Sequence, residues 1–365
     1  MVEPTYVPVL PVRPRAWAAY EALDPRVRRR TEPLWTLTPH HGPERPRDER
    51  YDLDPNDDPA ELERWLTPKV DRLVEATDSM PGWLDAVHVE SRVRGSAAAL
   101  WRLASRCNLR LVTGPERDPT LQRHTADLAF LGGRGLGIRL LVDEPPEEHS
   151  AACLLDMVDR LCLQPSTTDL ILDMGAVAFG DESVKSAIAA VDVLGTLRRW
   201  RTVVLVAGAF PRSPEDGPGA PGMYAVPRHD HHLHGSVHAA RPSLPRSVVY
   251  GDYSVEHAGA AGIPPLAHRY GPPSGLFRYT TPDSFLIARA PLRGGPDRAD
   301  RVRAAARSMT EAGPFRGAGY SEGEQWMQKC AEEEGPKGSG NAEMWIKMGH
   351  IQHMTFVVRD GIGRM

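Results

Sequence analysis

The chain has 365 residues, 41% of them apolar and 25% charged. That balance suits a globular protein with one large α/β domain or two smaller ones. A formal net charge of −4 provides no global pull toward nucleic acid or an anionic membrane. The longest apolar stretches are interrupted within about ten residues, too few to span a bilayer.

The opening residues MVEPTYVPVL lack the basic head and long apolar run of a secretory signal, which predicts a cytoplasmic protein. Cys107, Cys153, Cys162 and Cys330 are scattered without CxxC spacing, so buried free thiols are expected. Arginine is abundant while lysine is scarce, which makes an arginine cluster a weaker sign of phosphate binding here than elsewhere.

In chain order, eight short β-rich runs alternate with helical or loop segments over residues 6–255. The first is YVPVLPV from Tyr6, followed by a helix around Trp17 and Leu23. PLWTLT from Pro33 is the second, and the polar, Pro-rich stretch from His40 to Pro59 reads as an exposed insertion. A helix is predicted from Thr67 to Ala76, with Thr67 as N-cap and Pro68 at its first position. DAVHVE from Asp85 is read as the third strand, then a helix from Ser96 to Arg106 and LRLVTG from Leu109. Helices at Pro119–Leu131, His149–Leu163 and Ser183–Trp200 separate GIRLLVD, TDLILDMG and RTVVLVAGAF. A long Pro-, Gly- and His-rich loop, Arg212 to Arg246, leads to SVVYGDYSV from Ser247.

Strands alternating with helices imply right-handed crossovers and a parallel sheet. Eight units predict an α/β fold, a (β/α)8 TIM-like barrel, over residues 1–255, with its chemistry at the C-terminal ends of the strands. Residues 256–365 read as a C-terminal α+β extension packed on the barrel. Within it, hairpin strands are expected at Ala267–Tyr270, Phe277–Thr281 and Ser284–Ala290. Helices follow at Asp297–Ala312, where Arg301, Arg303 and Arg307 form a solvated face, at Glu322–Glu334, and from Asn341 through Lys347. MTFVVRD reads as a closing strand.

The barrel reading gathers four carboxylates, Glu90, Asp143, Asp173 and Asp252, near one mouth. Such a ring suits Mg2+ or Mn2+, or divides into a general acid and a general base. Separate helix-capping roles are the competing reading, because Asp is common at strand ends. Arg139, inside a buried strand, needs an ion-pair partner or an anion. The HDHHLH run from His229 has the residue types of a zinc site, with His231, His234 and His238 on one helical face. A polar loop segment fits it equally, with Gly235 interrupting a helix. LGGRGLG from Leu131 precedes a strand, the wrong order for a dinucleotide fingerprint. No nucleotide cofactor is therefore expected, and no GxSxG, HExxH or Walker A motif occurs.

YVPVLPVRPRAWAAYEAL with PLWTL resembles the opening of the phage-type beta protein family, found in bacteriophages and bacteria. GDY at Gly251–Tyr253, RYT at Arg278–Thr280, and the closing GEQWMQKCA, GNAEMW and GHIQHMT are similar to its later motifs. The resemblance runs from Tyr6 to Thr355 and implies a barrel with no reaction attached. It draws attention to Arg13, Asp252, Tyr253, Arg278, Tyr279, Trp326, Asn341, Trp345, His350 and His353. Arg13 stands where the family's pattern has Lys, and the His229–His234 run replaces a more aromatic helix.

Two functions are expected in order. The first is a metal-assisted hydrolase or lyase for a small phosphorylated or carboxylated substrate. There Glu90, Asp173 and Asp252 act as ligands or acid and base, and Asp173 and Asp252 hold the metal. Arg13, Arg139, Tyr253, Arg278, His350 and His353 bind the substrate. The second is a non-catalytic binding protein with a protein partner in phage–host conflict, since fold does not fix function. Nucleic-acid binding ranks third, because no basic face or stripe is evident.

Overall fold

The computed structural model describes residues 6–39, 59–90, 106, 108–212, 222–242, 247–262, 274–293, 297–333 and 337–361. Eight parallel strands close into a barrel: β1 (Tyr6–Pro11), β2 (Leu34–Thr36), β3 (Trp83–Asp85), β4 (Arg110–Thr113), β5 (Leu136–Leu141), β6 (Thr168–Ala176), β7 (Thr202–Gly208) and, after one strand that leaves the barrel, β9 (Val248–Asp252). Closure comes from β9 pairing with β1, Tyr250 opposite Tyr6 and Asp252 opposite Pro8. The displaced strand β8 (Met223–Pro227) instead pairs antiparallel with β11 (Ser284–Pro291), which pairs with β10 (Ser274–Thr280).

Successive side chains on a strand face opposite sides, and this parity builds two environments. Val7, Val9, Leu34, Trp83, Val112, Ile171, Val204, Val206 and Val249 fill the lumen. Their neighbours Tyr6, Leu10, Trp35, Leu84 and Tyr250 pack outward under the helices Pro14–Glu21, Pro59–Thr77 and Ala342–Phe356. On the far side, Ile138, Leu140, Leu170, Leu172, Val203 and Leu205 do the same beneath Glu148–Arg160 and Asp181–Ala190. Gly137 faces inward with no side chain, since a Cβ there would lie 2.9 Å from Cδ1 of Trp83. The absence of a side chain leaves room for that indole. At the N-terminal end of the lumen Asp169 accepts from Trp83 Nε1 at 2.9 Å and from Arg201 Nε at 2.7 Å. Arg110 stacks over the Trp83 ring at 4.0 Å and pairs with Glu32.

Several boundaries differ from the sequence reading. The third strand is Trp83–Asp85, two residues early, and Val87–Glu90 is a helical turn whose start is tied by Asp85 accepting from the Val87 amide. The helix expected at Thr67 begins at Pro59. Thr67 lies inside it and donates to the Glu63 carbonyl at 2.7 Å, so it is no cap. MTFVVRD is not a strand: the helix from Ala342 runs to Phe356 and a wider turn continues to Gly361. Helical spacing lets Met354, Val357 and Val358 all enter the core. HDHHLH belongs to a helix, His229–Ala240, that runs through Gly235. Arg303 is not solvated: it is 2% exposed and donates to the Cys330 carbonyl at 3.0 Å. Cys330 is buried as expected, but Cys153 and Cys162 are exposed. The expected insertion at 40–58, most of the helix 96–106, the strand 267–270 and Cys107 lie outside the described residues. Among the described residues no helix is long and apolar enough to cross a membrane.

Candidate functional site

At the C-terminal end of the lumen, charges alternate across the barrel. Asp85, ending β3, accepts from Arg117 Nη2 at 2.8 Å and Arg139 Nη1 at 2.6 Å. Arg139 also donates to Asp173 Oδ2, from Nε at 2.9 Å and from Nη2 at 2.5 Å. Tyr253 Oη donates to the same oxygen at 2.6 Å and lies 3.0 Å from Arg139 Nη2. Arg117 reaches Glu90 Oε2 at 2.8 Å. Burial alone would raise the Asp85 carboxyl, but Arg117 and Arg139 outweigh it and hold the group at about 2. Around Glu90 burial wins over Arg117 and pushes the carboxyl up. The network therefore answers the question posed by Arg139: its partners are Asp85 and Asp173.

Asp252 is not part of that mouth. Parity turns it outward with Tyr250, away from the inward-facing Gly251. It accepts from Tyr6 Oη at 2.5 Å and Tyr250 Oη at 2.9 Å, and lies 2.8 Å from His353 Nε2. His353 Nδ1 sits 2.8 Å from Thr280 Oγ1, and Arg228 donates to Tyr250 Oη at 2.8 Å. Burial disfavours the Asp252 anion, but His353 and Arg228 hold its carboxyl below the usual range. These groups fasten the C-terminal helix and the small sheet to the barrel wall. The expectation that Asp173 and Asp252 face each other is thus corrected by strand parity. Asp143, the fourth acid, is exposed.

A third cluster lies at the rim, where the chain leaving β1 and the chain leaving β9 meet the C-terminal helix. Arg15 donates to Glu256 Oε1 at 2.8 Å and to the exposed Glu343 at 2.9 Å. Arg13 donates to the Ala260 carbonyl at 3.1 Å and acts electrostatically on Glu256. Ser254 Oγ is 2.9 Å from His350 Nδ1, and His350 Nε2 is 3.6 Å from Glu256 Oε2. Arg278 lies over the Phe210 ring at 5.3 Å and donates to the Leu276 carbonyl at 3.0 Å. Among the described residues no carboxylate stands within ion-pairing distance of Arg278. Burial pulls its guanidinium down to about 10, with Glu256 opposing. Burial also lowers the His350 imidazole, against the pull of Glu256. Several buried atoms without a hydrogen-bond partner lie here, Arg278 Nε, Arg15 Nε, Glu256 Oε2, His350 Nε2 and Tyr224 Oη, as others do elsewhere in the fold, among them Arg228 Nε and Asp230 Oδ1 beside Tyr250. Native interiors leave few such atoms, and a group of them marks a place for water or ligand.

The predicted residues thus separate into three places. Glu90, Arg139, Asp173 and Tyr253 meet in the lumen; Asp252 and His353 meet outside the wall; Arg13, Arg278 and His350 meet at the rim. Arg117, Asp85, Arg15, Glu256 and Ser254 were missed. GDYS and its following Glu256 were legible as the end of the last barrel strand, but only the fold brings Arg15 and His350 to them. For a metal, the donor set is poor: among the described residues no group of three or more His, Cys, Asp or Glu is placed to hold one. Asp173 and Asp252 already face guanidinium, imidazole and phenol donors. In the His229 run, His234 and His231 set their rings edge-on to Tyr250, with centroids 5.1 and 6.1 Å away, and His229 meets Phe179 at 5.7 Å. These are packing contacts.

A closed parallel barrel with polar side chains concentrated at the C-terminal end of its strands and a helical extension over its rim is the (β/α)8 class. The model of the family described as Beta protein matches residues 6–359, nearly the whole chain, and the protein belongs to that family. No curated protein matches the chain.

Proposed function

We infer that the protein is a barrel enzyme acting on a small phosphorylated or carboxylated substrate, bound at the rim by Arg13, Arg15 and Arg278. The observation that carries this reading is Arg278: a guanidinium drawn down by burial, with its Nε unpartnered and no carboxylate within ion-pairing distance, Glu256 acting on it only from further away. A buried charge with no counter-ion at close range is costly, so it is retained where an anion completes it. Around it stand the guanidiniums of Arg13 and Arg15 and the carboxylates of Glu256 and Glu343. A planar guanidinium suits bidentate contact with carboxylate or phosphate.

Hydrolysis or elimination at such a site needs a group that moves a proton. Burial lowers the His350 imidazole and so favours its neutral, proton-accepting form, and Glu256 beside it accepts hydrogen bonds. Divalent metal enters the reading only as an added ligand that the substrate brings, since guanidiniums line the rim. The lumen network of Asp85, Arg117, Arg139, Asp173 and Tyr253 supports the rim by fixing the strand ends.

The test is a thermal-shift screen of phosphorylated and carboxylated metabolites, each with and without Mg2+ or Mn2+. A ligand at 100 times its Kd contributes about 2.7 kcal/mol, a rise of several degrees in Tm. The reading expects such a rise for at least one anion and its loss in Arg278→Gln. Equal melting in every anion and in chloride would refute it.

A further inference from the structure

We propose that Ser254 is a nucleophile, activated by His350 as general base and positioned through Glu256, so that the enzyme cleaves an ester of an anionic substrate by way of a covalent acyl-serine. The proposal rests on the anion-binding reading of the rim and adds to it a bond-making atom.

Ser254 is unusual before its neighbours are considered. Its φ is +54°, a left-handed conformation that L residues with a side chain adopt at some strain. The backbone is held there by the Ser254 amide donating to Asp252 Oδ1 at 2.8 Å. Asp252 is itself locked against His353, Tyr6 and Tyr250, so the strain is supported from behind by a hydrogen-bonded buried cluster. A serine on a strained turn just past the C-terminal end of a barrel strand stands where barrels carry their catalytic groups.

The same helix provides an internal comparison. His350 and His353 are one turn apart, both fully buried, and both touch a hydroxyl through Nδ1: Ser254 for the first, Thr280 for the second. His353 finds Asp252 and Tyr6 on its other nitrogen and is satisfied. His350 does not. Its Nε2 is left without a hydrogen bond, 3.6 Å from Glu256 Oε2, which is unpartnered too. A helix-docking histidine needs only the arrangement around His353. The looser arrangement around His350 is the nucleophile, base and orienting acid of a serine hydrolase before substrate tightens it.

Arg278 completes the geometry. Gly349 lies against it so closely that a Cβ at 349 would sit 3.1 Å from Cβ of Arg278 and 3.3 Å from Cγ2 of Val255. The Arg278 stem and Val255, the residue after Ser254, therefore both border Gly349, the residue before His350. In the first step Ser254 Oγ bonds to the carbonyl carbon as its proton passes to His350 Nδ1. The ester C–O bond then breaks, and the leaving alcohol takes that proton. In the second step water, deprotonated by His350, attacks the acyl carbon and the Ser254 Oγ–C bond breaks. Ser254 recovers the proton, and the carboxylic acid so formed departs as a carboxylate after losing its own proton to solvent. The rim guanidiniums hold the substrate's anionic group and the carbonyl oxygen as it becomes negative.

Labelling of the full chain with a fluorophosphonate reads this directly, since attack by Ser254 expels fluoride and leaves a stable phosphonyl adduct. Peptide mass mapping is expected to find the adduct on Ser254. His350→Gln should slow labelling about 100-fold or more. Glu256→Gln should slow it as well, and Glu256→Asp should restore part of the rate. Ser254→Gly should abolish the adduct while keeping the fold and leaving anion-induced thermal shifts in place, because glycine adopts the left-handed conformation without strain. An unlabelled wild-type protein, an adduct confined to another serine, or labelling unchanged by His350→Gln overturns the assignment. None of those outcomes bears on the thermal-shift test of the anion site, so the two can fail separately.

Discussion

Asp173 and Asp252 lie on opposite sides of the barrel wall. Asp173 points into the lumen, held by Arg139 and Tyr253, while Asp252 points outward into the cluster of Tyr6, Tyr250 and His353. The two carboxylates therefore do different things. Asp173 cross-links the strand ends around the mouth, and Asp252 fastens the C-terminal helix, which in turn carries His350 to the rim.

Asp252→Asn is expected to destabilise the protein by about 3 kcal/mol, because it removes the charge that faces Arg228 and accepts from Tyr6 and Tyr250 in a buried site. Hydrogen exchange should localise the loss to the helix Ala342–Phe356 and the strand Ser274–Thr280. Asp173→Asn should instead expose amides at the ends of β5 and β6 and leave that helix protected. Matching exchange patterns in the two variants would contradict the division.

Stability should fall on acidification in two stages. Burial holds His234 down at about 4, from an ordinary 6.5. Its unfolded form therefore binds a proton first, so stability is lost as pH drops from about 6.5 toward 4, by about 3 kcal/mol. Asp85, held at about 2, adds a contribution that is present above its unfolded value and is lost between about pH 4 and 2. Urea unfolding across pH measures both stages. His234→Gln should shrink the first, to which the lowered imidazoles of His350 and His231 also contribute, and spare the second; an unchanged first stage would refute the assignment to that imidazole.

Gly137→Ala should destabilise the barrel by about 1–3 kcal/mol through overpacking, since the new methyl would meet Cδ1 of Trp83 at 2.9 Å and Cγ2 of Val112 at 3.0 Å. Trp83→Phe in the same chain should relieve part of that loss. Denaturant midpoints of the single and double variants decide it, and additive losses would argue against contact.

Much of the barrel was legible because buried parallel strands read as Val, Ile and Leu runs, and seven of the eight lie where such runs fall. The exception is β3, only Trp83–Asp85, too short to outweigh the alternation in DAVHVE. Strand β8 was hidden for a different reason: MYAVP pairs with a hairpin some sixty residues later in the sequence, and no local pattern carries that. The site was legible residue by residue but not as an assembly. Arg13, Arg278 and His350 each stood out, yet whether Asp252 joins Asp173 depends on which side of a strand it faces. A shift of one residue reverses that.

The central claim is that an anion binds at Arg278 on the rim. Anomalous diffraction from crystals soaked in selenate, a sulfate-like tetrahedral dianion, tests it most directly. The account predicts a selenium peak within hydrogen-bonding reach, about 4 Å from Se to nitrogen, of Arg278 Nε, with Arg13 or Arg15 on its other side, and no such peak in Arg278→Gln. Selenate bound elsewhere with the rim left empty, or a rim peak unaffected by Arg278→Gln, would contradict it.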